Sequence, residues 1–255
     1  MRKIAEIRVF DDEALLRRMM RVSLAVLGCG ALAGVAWWFV VGAFNEAAAS
    51  HMPAFELDRV LGAWGARLVG VDASAAHIDW VWWLALVGGV VVSFAGHELV
   101  HAWLFRRFAP PGARVTLGAN LKMGMLYASA DGVVFPRSRY LLAVLAPSGV
   151  VSLVVLAVGI GLGWPLWTLL VGTVHLSGCS GDWAYARAMR DDPAILYCKD
   201  TAWGVEFYGN DEVPVYGVPA RGSATQGSAH AGFTVVEGGR VDPCADARSK
   251  GADGK

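Results

Sequence analysis

Between Val22 and Phe44 the chain runs for about 23 residues without a charged side chain, the length a helix needs to cross the hydrocarbon core of a bilayer. Three more apolar stretches follow: Trp80 to Phe105, Tyr140 to about Gly163, and a run after Trp164-Pro165 that reaches about Ala186. With 55% hydrophobic and 17% charged residues among 255, and a mean hydropathy of +0.45, the chain is too apolar for an ordinary soluble domain. Its 11 tryptophans fit a membrane protein, because indole rings gather at the headgroup level. Basic residues before the first run and Ala47-Ala48-Ala49 after it are also features of a cleaved signal peptide. The run exceeds an ordinary signal core of about 7–15 residues and its lead-in is long, which favours a retained span.

The expected fold is therefore an all-α polytopic membrane protein with about four transmembrane helices. Residues 1–21 form a basic N-terminal segment, 22–190 the four-span membrane domain, 191–219 a small cytoplasmic β-element, and 220–255 a mostly disordered tail rich in Gly, Ala and Ser. The segment from Asn45 to Asp79 is acidic, with a helical apolar rhythm over Phe55 to Val71 that suits an interfacial element. The loop from Arg106 to Arg139 is basic, and its stretches Ala113 to Leu117 and Asp131 to Phe135 suggest turns and a short hairpin. Pro147 is expected to kink the third span. Basic lead-in and middle loop against an acidic first connection put both termini in the cytoplasm of a multi-pass plasma-membrane protein.

Within the second run lies His97-Glu98-Leu99-Val100-His101. On a helix the two histidines project from one face, one turn apart, a spacing that lets both hold one zinc ion. Glu98 rides on the same turn and can take a proton from water at that metal, the work of a general base. The bland alternative is a pair of satisfied interior histidines beside a snorkelling glutamate, but ionisable groups are costly in a membrane and seldom kept without a role.

A catalytic zinc takes three protein ligands and leaves a position for water. Asp182, in Gly178-Cys179-Ser180-Gly181-Asp182-Trp183, is the favoured third ligand. His97 and Asp182 each lie about 17 residues into spans of the same direction, hence at the same depth of roughly 25 Å. The competing reading has Asp182 pair with Arg187 or cap a helix. His175 is the rival ligand, about 10 Å deeper by helical rise, which suits a supporting or substrate-binding role. Glu46, Glu56 and Asp58 belong to the opposite side. Cys29, Cys179, Cys198 and Cys244 show no C-x-x-C spacing, so neither a disulfide framework nor a thiolate zinc site is expected. Iron or cobalt would accept similar ligands.

Gly96-His97-Glu98-Leu99-Val100-His101-Ala102, then Leu145-Ala146-Pro147, then His175 through Trp183 together resemble the DUF3267 family of zincin membrane peptidases. The order is also similar to that of site-2-type intramembrane metalloproteases, although their L-D-G and N-x-x-P-x-x-P segments are missing. The resemblance covers roughly residues 80–210. It implies His97, His101 and Asp182 as zinc ligands and Glu98 as the catalytic residue. The expected activity is zinc-dependent endopeptidase action near the cytoplasmic membrane face, on a membrane or membrane-associated protein. The alternative is a non-hydrolytic membrane protein that keeps the metal cage for structure, carriage or regulation. The lipid bilayer is the other expected partner. A formal net charge of zero argues against nucleic acid, and no feature sets an oligomeric state.

Overall fold

The computed structural model describes residues 1–9, 11–48, 56–68, 77–120, 125–130, 132–201 and 204–209. In chain order the elements are β1 (Arg2–Arg8), α1 (Glu13–Ala48), α2 (Leu57–Leu61), α3 (Ala63–Leu68), α4 (Trp80–Phe108), β2 (Thr116–Asn120), β3 (Met125–Ser129), β4 (Val134–Pro136), α5 (Arg137–Leu162), α6 (Pro165–Gly178), α7 (Ser180–Asp191), β5 (Tyr197–Thr201) and β6 (Gly204–Gly209). The tail expected over 220–255, and the end of the β-element over 210–219, lie outside the described residues.

Among the described residues, three helices are long and apolar enough to cross a membrane: Glu13–Val40 of α1, all of α4 and all of α5. Large apolar side chains on them stand exposed, among them Leu32, Val92, Leu153 and Ile160, as suits a surface whose surroundings are hydrocarbon. Local chemistry sets their ends. Asp79 accepts from the Val81 and Trp82 amides at 3.0 and 3.1 Å and so caps α4. Pro110 and Pro111 stop the same helix just after Ala109. Gly163 closes α5 in the left-handed conformation, φ 65°, with its N–H turned back on Gly159 and Ile160.

The fourth apolar run departs from expectation. It is divided at Cys179 into α6 and α7, and the 14 residues of α6 rise only about 21 Å, short of a bilayer core. Small residues at Gly178 and Gly181 let the two helices part, which a hydropathy count cannot register. A buried apolar group, including Trp82, Val151, Val155, Trp167 and Val171, fills the end of the bundle where α6 starts. There the carboxylate of Glu56 accepts from the indole of Trp82 at 2.9 Å and from the Leu166 amide at 2.9 Å, capping α6.

At the other end, segments far apart in the chain make one antiparallel sheet in the order β1-β6-β5-β4. Ile7, Val205, Phe207, Cys198 and Phe135 are buried against Tyr140 and Val144 of α5 and Ala188 and Met189 of α7. Each fully buried phenylalanine contributes about 2–3 kcal/mol in removed apolar surface.

Two segments fold differently from expectation. The first residues form β1, an edge strand of that sheet, rather than only a basic lead-in. A register shift between Lys3 and Ala5 breaks its alternation, and Glu6 is buried with Lys3 and Arg8 as partners, so the pattern did not read as a strand. The hairpin joins β2 to β3 (Thr116↔Ser129 through Asn120↔Met125), while Val134 to Pro136 leaves the loop to pair with β5.

Candidate metal centre

The inward stripe of α4 is Ser93, His97, His101, Leu104 and Phe105, all buried, recurring every three or four residues as one helix face must. His97 and His101 therefore stack one turn apart, with ring centroids 4.8 Å apart, and their Nε2 atoms lie 3.1 Å from each other. Asp182 arrives from the first turn of α7, where a carboxylate is favoured by the helix dipole. Its Oδ2 is 2.9 Å from His97 Nε2 and its Oδ1 is 3.5 Å from His101 Nε2. Arg187, the competing partner considered for Asp182, pairs instead with Asp191 at 3.2 Å.

These separations bear on a metal directly. Ligand atoms about 2.0–2.1 Å from a tetrahedral zinc stand about 3.3 Å from one another. The His97–His101 separation of 3.1 Å, with one Asp182 oxygen 2.9 Å from His97 and the other 3.5 Å from His101, is close to that figure, so the donor set fits zinc. Glu98 is half-buried beside them; its electrostatic neighbours include His101, His97 and Asp182, and its carboxylate is bonded to the backbone of Ala128 in β3.

The second nitrogen of His97 faces the other way. His97 Nδ1 is 3.2 Å from His175 Nε2 and 3.7 Å from Cys179 Sγ, and His175 Nδ1 reaches Ser152 Oγ at 3.4 Å. His175 thus lies across the His97 ring from Asp182 rather than beside it. Cys179 was not anticipated. It belongs to no C-x-x-C pair; the useful spacing is His175 to Cys179, the same four-residue step that separates His97 from His101.

Behind His101 the sheet contributes a second unanticipated group. Asp200 of β5 accepts from the Tyr140 hydroxyl at 3.0 Å. Burial pushes its carboxyl up to about 6, against the opposing pull of Ser129, Tyr140 and the charge of His101. His101 Nδ1 is itself buried without a hydrogen-bond partner among the described residues. Glu56 is at the far end of the bundle, as expected, and Glu46 and Asp58 have no described side-chain placement.

Fold and site together define a mainly helical protein with membrane-length helices and a His-His-Asp cluster of metal-binding geometry, its two histidines buried. Residues 90–197 match the model of the DUF3267 family, described as "Putative zincin peptidase". The matched stretch runs from within α4 to the start of β5 and so contains all of the cluster. No curated protein and no solved structure matches the chain.

Proposed function

We propose that this protein is a zinc-dependent endopeptidase embedded in the plasma membrane, acting on a membrane or membrane-associated protein at the cytoplasmic face. The observation that carries the reading is the convergence of His97 Nε2, His101 Nε2 and the Asp182 carboxylate, from helices far apart in sequence, at separations of 2.9 to 3.5 Å. These three side chains would hold the ion. When bound, zinc supplies Lewis-acid polarisation of a carbonyl and acidifies water. Glu98, adjacent to a ligand but not one itself, takes the proton of the attacking water and returns it to the leaving amine. Its bond to the Ala128 backbone holds the carboxylate beside the cluster.

The membrane arrangement supports the same reading. The strand before α1, the strand before α5 and the strands after α7 share one sheet, so α6 and α7 bring the chain back to the side from which α5 left. We infer that they form a fourth, broken crossing. Basic residues at the sheet end, including Arg17, Arg18, Arg106, Arg107, Arg137 and Arg139, put that end and both termini in the cytoplasm.

Glu98→Gln tests the proposal. The variant is expected to keep its zinc and to lose peptide-bond cleavage by at least about a hundredfold, read by elemental analysis and by cleavage of candidate membrane substrates in one preparation. Unchanged cleavage would sink the general-base assignment. Absence of cleavage by the native protein in every assay, with zinc bound, would favour the non-hydrolytic metal-binding reading, for which His175 and Cys179 offer additional donors around His97.

A further inference from the structure

His97 is the only side chain shared by two groups of metal-spaced donors among the described residues. Its Nε2 points to His101 and Asp182, its Nδ1 to His175 and Cys179. In the second group the separations are 3.2 Å between His97 Nδ1 and His175 Nε2, 3.7 Å from Cys179 Sγ to His97 Nδ1, and 3.9 Å from Cys179 Sγ to His175 Nε2. A tetrahedral ion with Zn–N of about 2.0–2.1 Å and Zn–S of about 2.3 Å needs about 3.3 Å between nitrogens and about 3.6 Å from nitrogen to sulfur. All three donors are buried, and two of them, His175 and Cys179, are fully so. A thiolate with two imidazoles selects a thiophilic cation, unlike the oxygen-containing outer group.

We propose that His97 Nδ1, His175 Nε2 and Cys179 Sγ form a second, inner position for a thiophilic divalent cation, and that His97 admits metal to one position at a time. A neutral imidazole has one N–H and one free lone pair. With metal on Nε2, the proton sits on Nδ1 and is donated to His175 Nε2. With metal on Nδ1, the proton sits on Nε2 and is donated to Asp182 Oδ2, 2.9 Å away. Either tautomer leaves every His97 atom satisfied. On ligation Cys179 gives up its thiol proton to solvent, so the inner metal carries a thiolate. Glu98 is associated with the outer group, so the inner position is a holding site in which the proposed catalytic metal is out of reach. That functional consequence rests on the peptidase reading; the existence of the inner position does not.

Cobalt(II) titration of the purified full-length protein tests this, because a cysteine thiolate on cobalt gives a near-ultraviolet charge-transfer band that imidazoles and carboxylates do not. Asp182→Asn should confine the ion to the inner position and bind about one cobalt with a strong band. Asp182→Asn with Cys179→Ser should lower the band at least tenfold. His101→Asn provides an independent route to the same confinement should the Asp182 variant fail to fold. The native chain should saturate near one cobalt. Cobalt bound without a thiolate band in both confining variants, or two equivalents bound by the native chain, overturns the proposal. A Cys179-dependent band in a protein with no peptidase activity would leave the inner position standing and remove the activity. Glu98-dependent cleavage with no such band would do the reverse.

Discussion

Asp182 and Asp200 are both half-buried carboxylates near histidines, yet they have different jobs to fill and different tests. Asp182 touches both candidate ligands, so Asp182→Ala is expected to weaken zinc binding by more than about a hundredfold, measured by competition with a chelator. Unchanged occupancy, with His175→Ala emptying the site instead, would move the third ligand to the rival position. Asp200 touches Tyr140, and its carboxyl is held near 6 rather than 3.8 by burial. A raised carboxyl holds its proton more tightly folded than unfolded, so stability falls as pH rises from about 4 to about 6. The full cost above that window is on the order of 2–3 kcal/mol. Asp200→Asn is therefore expected to melt above the native chain at pH 7 and level with it near pH 4; a parallel pH profile for both proteins would remove Asp200 as the cause. The His97-Glu98-His101 pattern and Asp182 were legible in the sequence because each polar group stands out against an apolar run. Cys179 and Asp200 were not, since a cysteine is unremarkable in such a run and Asp200 belongs to a strand whose neighbours come from elsewhere in the chain.

Helix α6 is short, and its neighbours α1, α4 and α5 approach it through small residues. A Cβ placed at Gly159 of α5 would fall within the side chain of Thr168, and one at Gly30 of α1 within that of Thr173. Close approach of this kind is the usual means of holding helices together where lipid offers no hydrophobic drive. Gly159→Ala is expected to destabilise the bundle by about 1–3 kcal/mol through overpacking, and Thr168→Ala in the same chain should restore only part of the loss, because its Cβ still stands 2.7 Å from the added one. Equal melting of Gly159→Ala and the native protein in detergent would count against that packing. The elements themselves divide by how local their cause is. α1, α4 and α5 follow from uninterrupted apolar length with nearby stops at Pro110, Pro136 and Gly163, all readable in order. The division of the fourth run depends on how Ser180 and Asp182 meet Ser23 and His97, contacts that no local window contains.

At the scale of the whole molecule the sheet constrains how the chain threads a membrane. β1, β4, β5 and β6 come from the beginning, the middle and the later part of the described chain, and a hydrogen-bonded sheet cannot be divided by a bilayer. The start of α1, the end of α4, the start of α5 and the end of α7 therefore share a side. The opposite end is marked by α2 and α3, tied to the start of α4 through Asp79 N–H on Arg59 O at 2.8 Å and the Trp83 indole on Val60 O at 3.2 Å. Along the 29 residues of α4 the two ends are separated by about 43 Å, more than the hydrocarbon thickness. In a background with Cys29 and Cys244 changed to Ser, exposed Trp64 and Glu13 offer positions for a single reporter thiol at the two ends. A membrane-impermeant maleimide added to intact cells should label Trp64→Cys at once and Glu13→Cys only after lysis. Labelling of Glu13→Cys alone in intact cells would invert the orientation, and labelling of both would break the topology. In the predicted orientation, Glu98 lies in the sheet-end half of α4 and Asp182 opens α7, the helix that runs on to the sheet, so the cluster sits in the half of α4 nearer the cytoplasm.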